Sequence, residues 1–351
     1  MSTAETMPHG DRKAVTAWLF GVAALIFCMV VLGGVTRLTE SGLSMTDWRP
    51  VTGWLPPLDD AGWQEEFERY RTSPEYEQIN AGMSVAEFKT IFWFEYSHRV
   101  LGRLIGLAFF VPFMVFLVRR RLDRPLIVKL WVLFGLGALQ GFVGWFMVAS
   151  GLVERPSVSQ YRLAMHLALA FLIYGAIIWT MLGLRQTPAD YGPAETGHRR
   201  ARRRALWLLA MVSFTVVSGA FVAGLDAGLY YNTFPLMDGQ LVPSGYLADD
   251  PWWLNPFQNI AVVQFNHRLL AVATVLVILA YWLWVRSSSL TRRTRHAAST
   301  LAAMALVQAG LGIATLLAYV PVWLGALHQA GALVLFTLAL VLADSLRQRT
   351  I

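Results

Sequence analysis

The chain has 351 residues, of which 56% are hydrophobic and only 15% are charged, whereas a typical soluble protein has about 25% charged residues. This composition excludes a soluble globular protein and predicts an integral membrane protein. The net charge of +7 does not indicate nucleic-acid binding, because the basic residues lie in short clusters between apolar runs. The single cysteine, Cys28, excludes an internal disulfide and a thiolate metal cluster.

Eight apolar runs of about 20 residues have the length that a helix needs to cross a bilayer. The sequence therefore predicts an all-α fold with eight transmembrane helices. Their approximate spans are 14–36, 91–118, 130–150, 163–184, 205–225, 260–285, 297–318 and 322–343.

The basic residues indicate how these helices are oriented. Loops 119–129, 185–204 and 286–296 are rich in Lys and Arg, whereas loops 226–258 and 319–321 contain none. Because short loops rich in Lys and Arg stay in the cytoplasm, we predict that both termini lie inside. The first residues show neither a cleavable signal pattern nor an organelle transit pattern, so we expect a bacterial inner membrane protein.

The acidic segment 37–90 is external by the same alternation. Within it, residues 63–70 predict a short surface helix. Ser84 and Glu87 have the spacing of a capping box, which predicts the start of the second membrane helix.

An internal repeat divides the chain into two halves. The matching segments are 33–43 with 219–229, 95–99 with 264–268, 139–141 with 307–309, and 164–168 with 326–330. Each half holds four spans, so the halves share one orientation and are predicted to be related by an axis along the membrane normal. The predicted architecture is two pseudo-symmetric four-helix bundles, residues 1–184 and 205–351, joined by a basic cytoplasmic linker, residues 185–204.

Four of the seven histidines occupy repeat-related positions near the external ends of the even-numbered spans: His98, His166, His267 and His328. Two imidazoles that face each other across a bundle are a natural axial pair for haem iron. A zinc or copper site is the rival, but it would need further Cys, Asp or His ligands beside each pair. Four residues after each histidine lies a small residue that would leave space for a flat ligand: Gly102, Ala170, Ala271 and Ala332.

Three arginines accompany the histidines. Arg99 and Arg268 directly follow His98 and His267, and a guanidinium at the outer end of a helix suits a haem propionate. The alternative is that both arginines extend to lipid headgroups. Arg103 lies deeper and is predicted to contact a propionate or a carboxylate in the first bundle.

The two halves differ at Glu95, whose counterpart is Gln264. Glu95 lies three residues before His98 and therefore on the same helical face. It could form a structural ion pair with Arg99. Alternatively, a carboxylate beside a metal centre can relay protons, in which case the first bundle is the reactive one and the second carries electrons.

These residues resemble haem A synthase, the membrane enzyme family that converts haem O to haem A for terminal oxidases. The resemblance covers essentially the whole chain. Its motifs are GVTRLTESGLSM at 34–45, WRPVTG at 48–53, EYSHR at 95–99, GLYYNTFP at 228–235 and NHR at 266–268. Some members carry a cysteine pair in the first external loop; this chain has none, which places it with the cysteine-free members.

The resemblance implies a reaction and its cofactors. A ring methyl group of haem O would be oxidised to a formyl group through successive oxygenations. His98 and His166 would hold the substrate and product haem, Glu95 would be the functional carboxylate, and His267 and His328 would bind haem b.

The resemblance also implies partners. The oxygen would come from O₂ or water, and the electron donor is not identified. Haem O synthase and oxidase assembly factors are the expected protein partners, membrane lipids surround the chain, and a homo-oligomer is left open.

Two rival functions use the same features. A dihaem b-type cytochrome that carries electrons without modifying haem would have the same four histidines, but it gives no reason for the Glu95/Gln264 difference. A transporter built from two repeats would need substrate helices broken by Gly or Pro, and no obvious pair is present.

Overall fold

A computed structural model describes residues 9–48, 53–152, 157–186, 196–246 and 248–347. Eight of its helices are long and apolar enough to cross a membrane. They are α1 (His9–Leu38), α4 (Val85–Val118), α5 (Arg124–Val148), α6 (Gln160–Arg185), α7 (Thr196–Gly224), α9 (Ile260–Arg286), α10 (Arg292–Leu317) and α11 (Val322–Asp344). The shorter helices are α2 (Asp60–Arg71), α3 (Pro74–Gln78) and α8 (Asn255–Gln258). The predicted all-α multi-pass membrane protein is confirmed.

Several membrane helices extend further than their apolar cores. Helix α7 begins at Thr196, nine residues before the predicted start at Ala205, because Arg and Ala are strong helix formers and continue the helix out of the apolar region. The end of the predicted linker is therefore helical, while residues 187–195 lie outside the described residues. Residues 49–52, within the WRPVTG motif, also lie outside them.

The capping box that precedes α4 is confirmed. The Ser84 backbone N–H donates to Glu87 Oε2 at 2.8 Å, and the Glu87 backbone N–H donates to Ser84 Oγ at 3.3 Å. These two bonds satisfy N–H groups that a helix start leaves without partners. They fix the beginning of α4 at Val85, six residues before the apolar span.

The long helices pack in a similar pattern in both halves. In the first half, α1 and α5 each contact both α4 and α6; in the second half, α7 and α10 each contact both α9 and α11. Within the described residues, no comparable contact joins α4 to α6 or α9 to α11, so these pairs stand diagonally opposite. The axis between the halves and the orientation with both termini inside stay predictions.

Helices α1, α6, α7 and α11 join the two halves. Arg37 at the end of α1 forms an ion pair of 2.7 Å with Asp226. Nearby, Gln329 of α11 donates a hydrogen bond of 2.7 Å to the Val30 carbonyl. A Cβ on Gly34 would overlap the amide group of Gln329, so α1 and α11 come close together at this glycine.

The external segment forms an aromatic cap on the start of α4. Helix α2 confirms the predicted surface helix and buries Trp63, Phe67 and Tyr70 against Phe88 and Phe92. Tyr70 and Phe88 stack with ring centroids 5.2 Å apart. Because aromatic side chains bury large apolar areas in defined geometries, this cap holds the outer end of α4 in place.

A carboxyl group is buried inside the cap. Glu75 is 3% exposed, and its Oε2 accepts a hydrogen bond of 3.0 Å from the Tyr70 hydroxyl. Burial raises the pKa of Glu75 to about 7, and the nearby Glu40 and Glu95 carboxylates raise it too, while Tyr70 and Arg37 act in the opposite direction. The folded protein therefore favours a protonated Glu75.

The stability of the cap should depend on pH through Glu75. Its pKa in the folded state lies above the unfolded value of 4.5, so its stabilising contribution is complete below about pH 4.5 and is lost as the pH rises through about 7. Glu75→Gln should remove this dependence and raise the unfolding free energy at about pH 8 by up to about 3 kcal/mol.

Thermal unfolding in detergent at about pH 5 and about pH 8 measures this effect. Glu77→Gln, at an exposed neighbour on the same short helix, is the control and should leave both midpoints unchanged. An unaltered pH dependence in the Glu75 variant would contradict the assignment.

Candidate functional site

The four predicted histidines lie inside the two halves, on the diagonally opposite helices. His98 is on α4 and His166 on α6, and the two are close enough to interact electrostatically. His267 on α9 and His328 on α11 interact in the same way. All four rings are surrounded by protein but keep some accessible surface. Each half therefore brings one pair of imidazoles together inside its helices.

Glycines on the other two helices of each half face these rings. A Cβ on Gly33 would lie 3.1 Å from His98, and one on Gly144 would lie 2.9 Å from His166. In the second half, Cβ atoms on Gly219 and Gly312 would lie 3.1 Å and 2.9 Å from His267 and His328. Any side chain at these positions would press on an imidazole. The glycines therefore leave room for the rings.

The sequence predicts that small residues on the histidine helices themselves leave space beside the rings. The structure places Gly102 against α1, where a Cβ would lie 3.1 Å from Met29 Cε. The facing glycines were missed, although the repeat contains the signal. Gly33 aligns with Gly219 without a gap, and Gly144 and Gly312 each lie four residues after a repeated glutamine.

The haem that the sequence predicts between each pair of histidines should fail to bind when a facing glycine is replaced by alanine. Gly144→Ala should prevent binding in the first half and Gly312→Ala in the second half, because the new methyl group would lie 2.9 Å from an imidazole carbon. Haem content per chain, measured as the pyridine complex, should fall by half in each variant.

Two glycines on the same helices serve as matched controls. A Cβ on Gly141 or Gly310 would meet nothing within 4 Å, so Gly141→Ala and Gly310→Ala should keep the full haem content. An equal loss in test and control variants would show that contact with the ring is not responsible.

Three of the histidines have polar partners at Nδ1. Gln140 Nε2 lies 3.1 Å from His166 Nδ1 and donates to the His166 carbonyl at 3.0 Å. In the second half, Gln308 Nε2 lies 3.1 Å from His328 Nδ1 and donates to its carbonyl at 2.8 Å. Gln140 Nε2 also lies 3.3 Å from His166 Nε2. Each glutamine amide therefore packs against an imidazole and donates to the backbone carbonyl of the same histidine.

The partner of His267 is a serine. Ser218 Oγ donates to the Thr215 carbonyl at 2.8 Å and lies 2.8 Å from His267 Nδ1. Because the Ser218 hydroxyl proton is donated to the Thr215 carbonyl, Oγ accepts a hydrogen bond from the Nδ1–H of His267. This hydrogen bond leaves Nε2 of His267 as the nitrogen with a free lone pair, which is the form that ligates iron.

The arginines that follow two of the histidines tie the histidine helices to the external loops. Arg99 donates to the carbonyls of Met45 at 2.8 Å and Asp47 at 2.7 Å. Arg268 likewise donates to the carbonyls of Tyr231 and, at 2.7 Å, Thr233. Both guanidinium groups therefore organise the loop that follows the first helix of their half.

Glu95 and Gln264 occupy equivalent places beside these arginines. Arg99 Nε donates to Glu95 Oε1 at 2.5 Å, and both side chains are at most 7% exposed. Arg268 donates to Gln264 Oε1 at 2.9 Å, and Gln264 Nε2 donates to the carbonyls of Ala227 and Tyr230 at 2.6 Å each. The same site thus holds a buried carboxylate in one half and an amide in the other.

Two further arginines lie near the first pair of histidines. Arg103 donates to the Gly53 carbonyl at 3.3 Å and lies over the Trp54 ring. Arg162, one turn before His166, donates to the Phe146 carbonyl at 2.6 Å and lies 3.7 Å from the Phe146 ring centroid. Arg162 was missed because its repeat counterpart, Leu324, is apolar.

Across the described ranges, no group of three or more His, Cys, Asp and Glu side chains comes together as a metal site.

The chain matches the family of cytochrome oxidase assembly proteins, COX15-CtaA, over residues 16–340. It belongs to this family.

Two similar proteins carry the same name. The chain is 51% identical to the heme A synthase of Nitrosospira multiformis over 338 residues, which are 96% of this chain and 95% of the relative. It is 52% identical to that of Parvibaculum lavamentivorans over 331 residues, 94% of this chain and 93% of the relative. The family resemblance of the sequence motifs is thereby confirmed.

Proposed function

We propose that this protein is a haem A synthase, which oxidises a ring methyl group of haem O to a formyl group by successive oxygenations. The observation that carries the proposal is the buried Glu95, which stands three residues before His98 in one of two otherwise matching histidine sites. Identity of about half with curated heme A synthases over nearly the whole chain supports it.

The first half would hold the substrate. His98 and His166 lie on opposite helices, and Gly33 and Gly144 leave space beside their rings, which suits a planar macrocycle. The surrounding helices present apolar residues to the membrane, so the isoprenoid tail of haem O can extend into the bilayer. These features suit haem O as substrate and haem A as product.

The second half would hold a resident haem b between His267 and His328. The residues fit this group: Gly219 and Gly312 clear the rings, and Ser218 leaves Nε2 of His267 free. Within the described part of the chain, the Nε–H of Arg268 is buried without an acceptor, which a propionate could supply. When bound, haem b supplies one-electron transfer.

Glu95 would move protons at the reactive site. Arg99 donates to its Oε1 and also to the external loop. One guanidinium therefore fixes both the loop and the orientation of the carboxylate. A buried carboxylate can accept a proton from, or return one to, a reacting group within hydrogen-bond reach. The second half has Gln264 here, which cannot do so.

The remaining features of the function complete this proposal. The oxygen atoms would come from O₂ or water, and electrons from a donor that reaches the second half. Haem O synthase would deliver the substrate, and oxidase assembly factors would receive the product. The protein would lie in a bacterial inner membrane with both haem sites toward the external side, and a homo-oligomer stays open.

The test is conversion itself. The chain is expressed with a haem O source in a host without a haem A synthase of its own, and extracted haems are identified by chromatography and mass. Haem A should appear. Bound haem without conversion would instead favour a dihaem cytochrome, although that function gives no reason for the Glu95/Gln264 difference.

A further inference from the structure

The second half carries a groove between α7 and α9. It has a volume of about 650 Å³. Trp207 and Phe214 line it and are 71% and 70% exposed, whereas Leu208 and Tyr281 line it and are buried. Among the described residues that line it, Arg204 alone is charged. The groove is therefore apolar and open to the surroundings, with a single cation.

Arg204 stands at the end of the groove that is predicted to face the cytoplasm. Its guanidinium lies over the Trp284 ring, 4.4 Å from the ring centroid, and this contact with the ring face leaves its N–H groups available to an acceptor. No carboxylate is paired with Arg204 in the described part of the chain. Four further arginines precede it on α7, at positions 199, 200, 202 and 203. This end of the groove therefore offers a strongly positive surface to an anion.

The groove is long enough for an acyl chain. It extends along α9 from Trp284 to Leu270, a distance of about 21 Å at a helical rise of about 1.5 Å per residue. The hydrocarbon layer of one leaflet is about 15 Å thick. A chain that begins at Arg204 can therefore stay in the groove as far as the centre of the bilayer.

The polar atoms of the groove lie at one end. The Tyr281 hydroxyl, one turn of α9 before Trp284, donates to the Ala201 carbonyl at 3.2 Å and so ties α9 to α7 beside Arg204. The other end, near Leu270, is apolar. This distribution suits a molecule with one anionic head and a long apolar tail.

The first half closes the equivalent position with an aromatic side chain. In the repeat, Trp18 of α1 is the counterpart of Arg204. The Trp18 ring packs against Phe109 and Phe116 of α4, with ring centroids 5.3 Å and 5.7 Å away. An indole thus joins α1 to α4 where α7 and α9 leave a groove.

A proline accounts for this difference between the halves. Pro112 inside α4 has no backbone N–H, so the Ala108 carbonyl one turn earlier lacks its helical partner. Trp18 Nε1 donates to this carbonyl at 2.8 Å. The counterpart of Pro112 is Tyr281, which keeps its N–H, so α9 offers no such acceptor here. The groove is therefore a feature of the second half and not a consequence of the repeat.

We propose that this groove binds one anionic phospholipid, with its phosphate at Arg204 and an acyl chain along α7 and α9. A guanidinium binds phosphate oxygens through charge-assisted hydrogen bonds, and basic recesses between membrane helices on the cytoplasmic side are typical sites for anionic headgroups. The lipid rests on the two helices that carry Ser218 and His267, so it stabilises the second half. It serves no step of the proposed conversion, and failure of the conversion assay would leave the site untouched.

Native mass spectrometry of the whole protein in a neutral detergent tests the proposal, with phosphatidylglycerol or phosphatidylcholine added. We expect one phosphatidylglycerol to bind per chain, and phosphatidylcholine, which has no net charge, to bind about fivefold more weakly. Arg204→Gln should weaken phosphatidylglycerol binding about tenfold more than Arg203→Gln does. Arg203 is an exposed neighbour outside the groove, so the two variants change the net charge equally and differ only in the direct contact.

A second pair of variants tests the position of the acyl chain. Ala280→Phe fills the groove without removing Arg204 and should abolish binding of phosphatidylglycerol. Leu276→Phe, at an exposed position of α9 outside the groove, is the control and should bind as the wild type does. Phosphatidylglycerol should also raise the unfolding temperature of the wild type and of Leu276→Phe, but not that of Ala280→Phe.

The proposal is wrong if both phospholipids bind equally, if Arg204→Gln behaves as Arg203→Gln, or if Ala280→Phe behaves as Leu276→Phe. It is also wrong if the mass of the molecule that copurifies in the groove is that of a quinone, which would make the groove a site for a redox ligand. Should Ala280→Phe not fold, Arg204→Gln still decides, because Arg204 is exposed and its replacement leaves the packing of α7 intact.

Discussion

Glu95→Gln should keep both haems bound but reduce conversion of haem O by about 10²–10⁴-fold, the usual contribution of a positioned acid or base. The fold should tolerate the change because Gln264 already occupies the equivalent place. There, the amide oxygen accepts from Arg268 at 2.9 Å, as Glu95 accepts from Arg99 at 2.5 Å. The substitution therefore removes a proton-binding group while it preserves the shape of the site.

The measurement is haem A formed per bound haem, after haem content and helicity are shown to be unchanged. Glu77→Gln, at an exposed position of the aromatic cap, is the control and should retain conversion, since it lies outside both histidine sites. If Glu95→Gln converts haem O at the wild-type rate, Glu95 serves only as the structural partner of Arg99. If haem is lost from the variant, its role lies in assembling the site.

His328→Leu should remove the haem of the second half and abolish conversion, even though every residue of the first site is intact. His328 lies across from His267, and its partner Gln308 would lose the imidazole that it contacts at 3.1 Å. A haem with a single remaining ligand is bound weakly, and the first haem would lose its source of electrons. Haem content should fall by half, and the product should fall below detection.

The absorption spectrum of the reduced protein measures which haem remains, and haem extraction measures conversion. His296→Leu replaces an exposed histidine at the start of α10 and should change neither quantity. Full conversion by His328→Leu would show that electrons reach the substrate haem by another route and would remove the electron-carrying role of the second half.

Local pattern was sufficient for much of the molecule. Apolar length identified the eight membrane helices, since a bilayer imposes nearly the same requirement on every spanning helix. The spacing of Ser84 and Glu87 identified the start of α4, because capping uses residues that are neighbours in sequence. The repeat identified the four histidines and the Glu95/Gln264 difference.

Contacts between distant segments could not be obtained in this way. The propionate contact of Arg99 and Arg268 stays a prediction, but the sequence did not reveal that both arginines also donate to carbonyls more than 30 residues away in sequence. Likewise, the facing glycines lie on helices other than those of the histidines. Which side chain lies across from a ring depends on how two helices are rotated and offset, and no single helix contains that information.

The sequence by itself therefore determined the class of protein, its eight helices, its two histidine pairs and its family, because these depend on local composition and on motifs. Only the tertiary structure decided which polar groups of distant segments meet. It showed Gln140 beside His166, Ser218 beside His267, and Arg99 donating to a carbonyl of the first external loop. The physical reason is that hydrogen bonds act over about 3 Å, a distance that helix packing sets and sequence spacing does not.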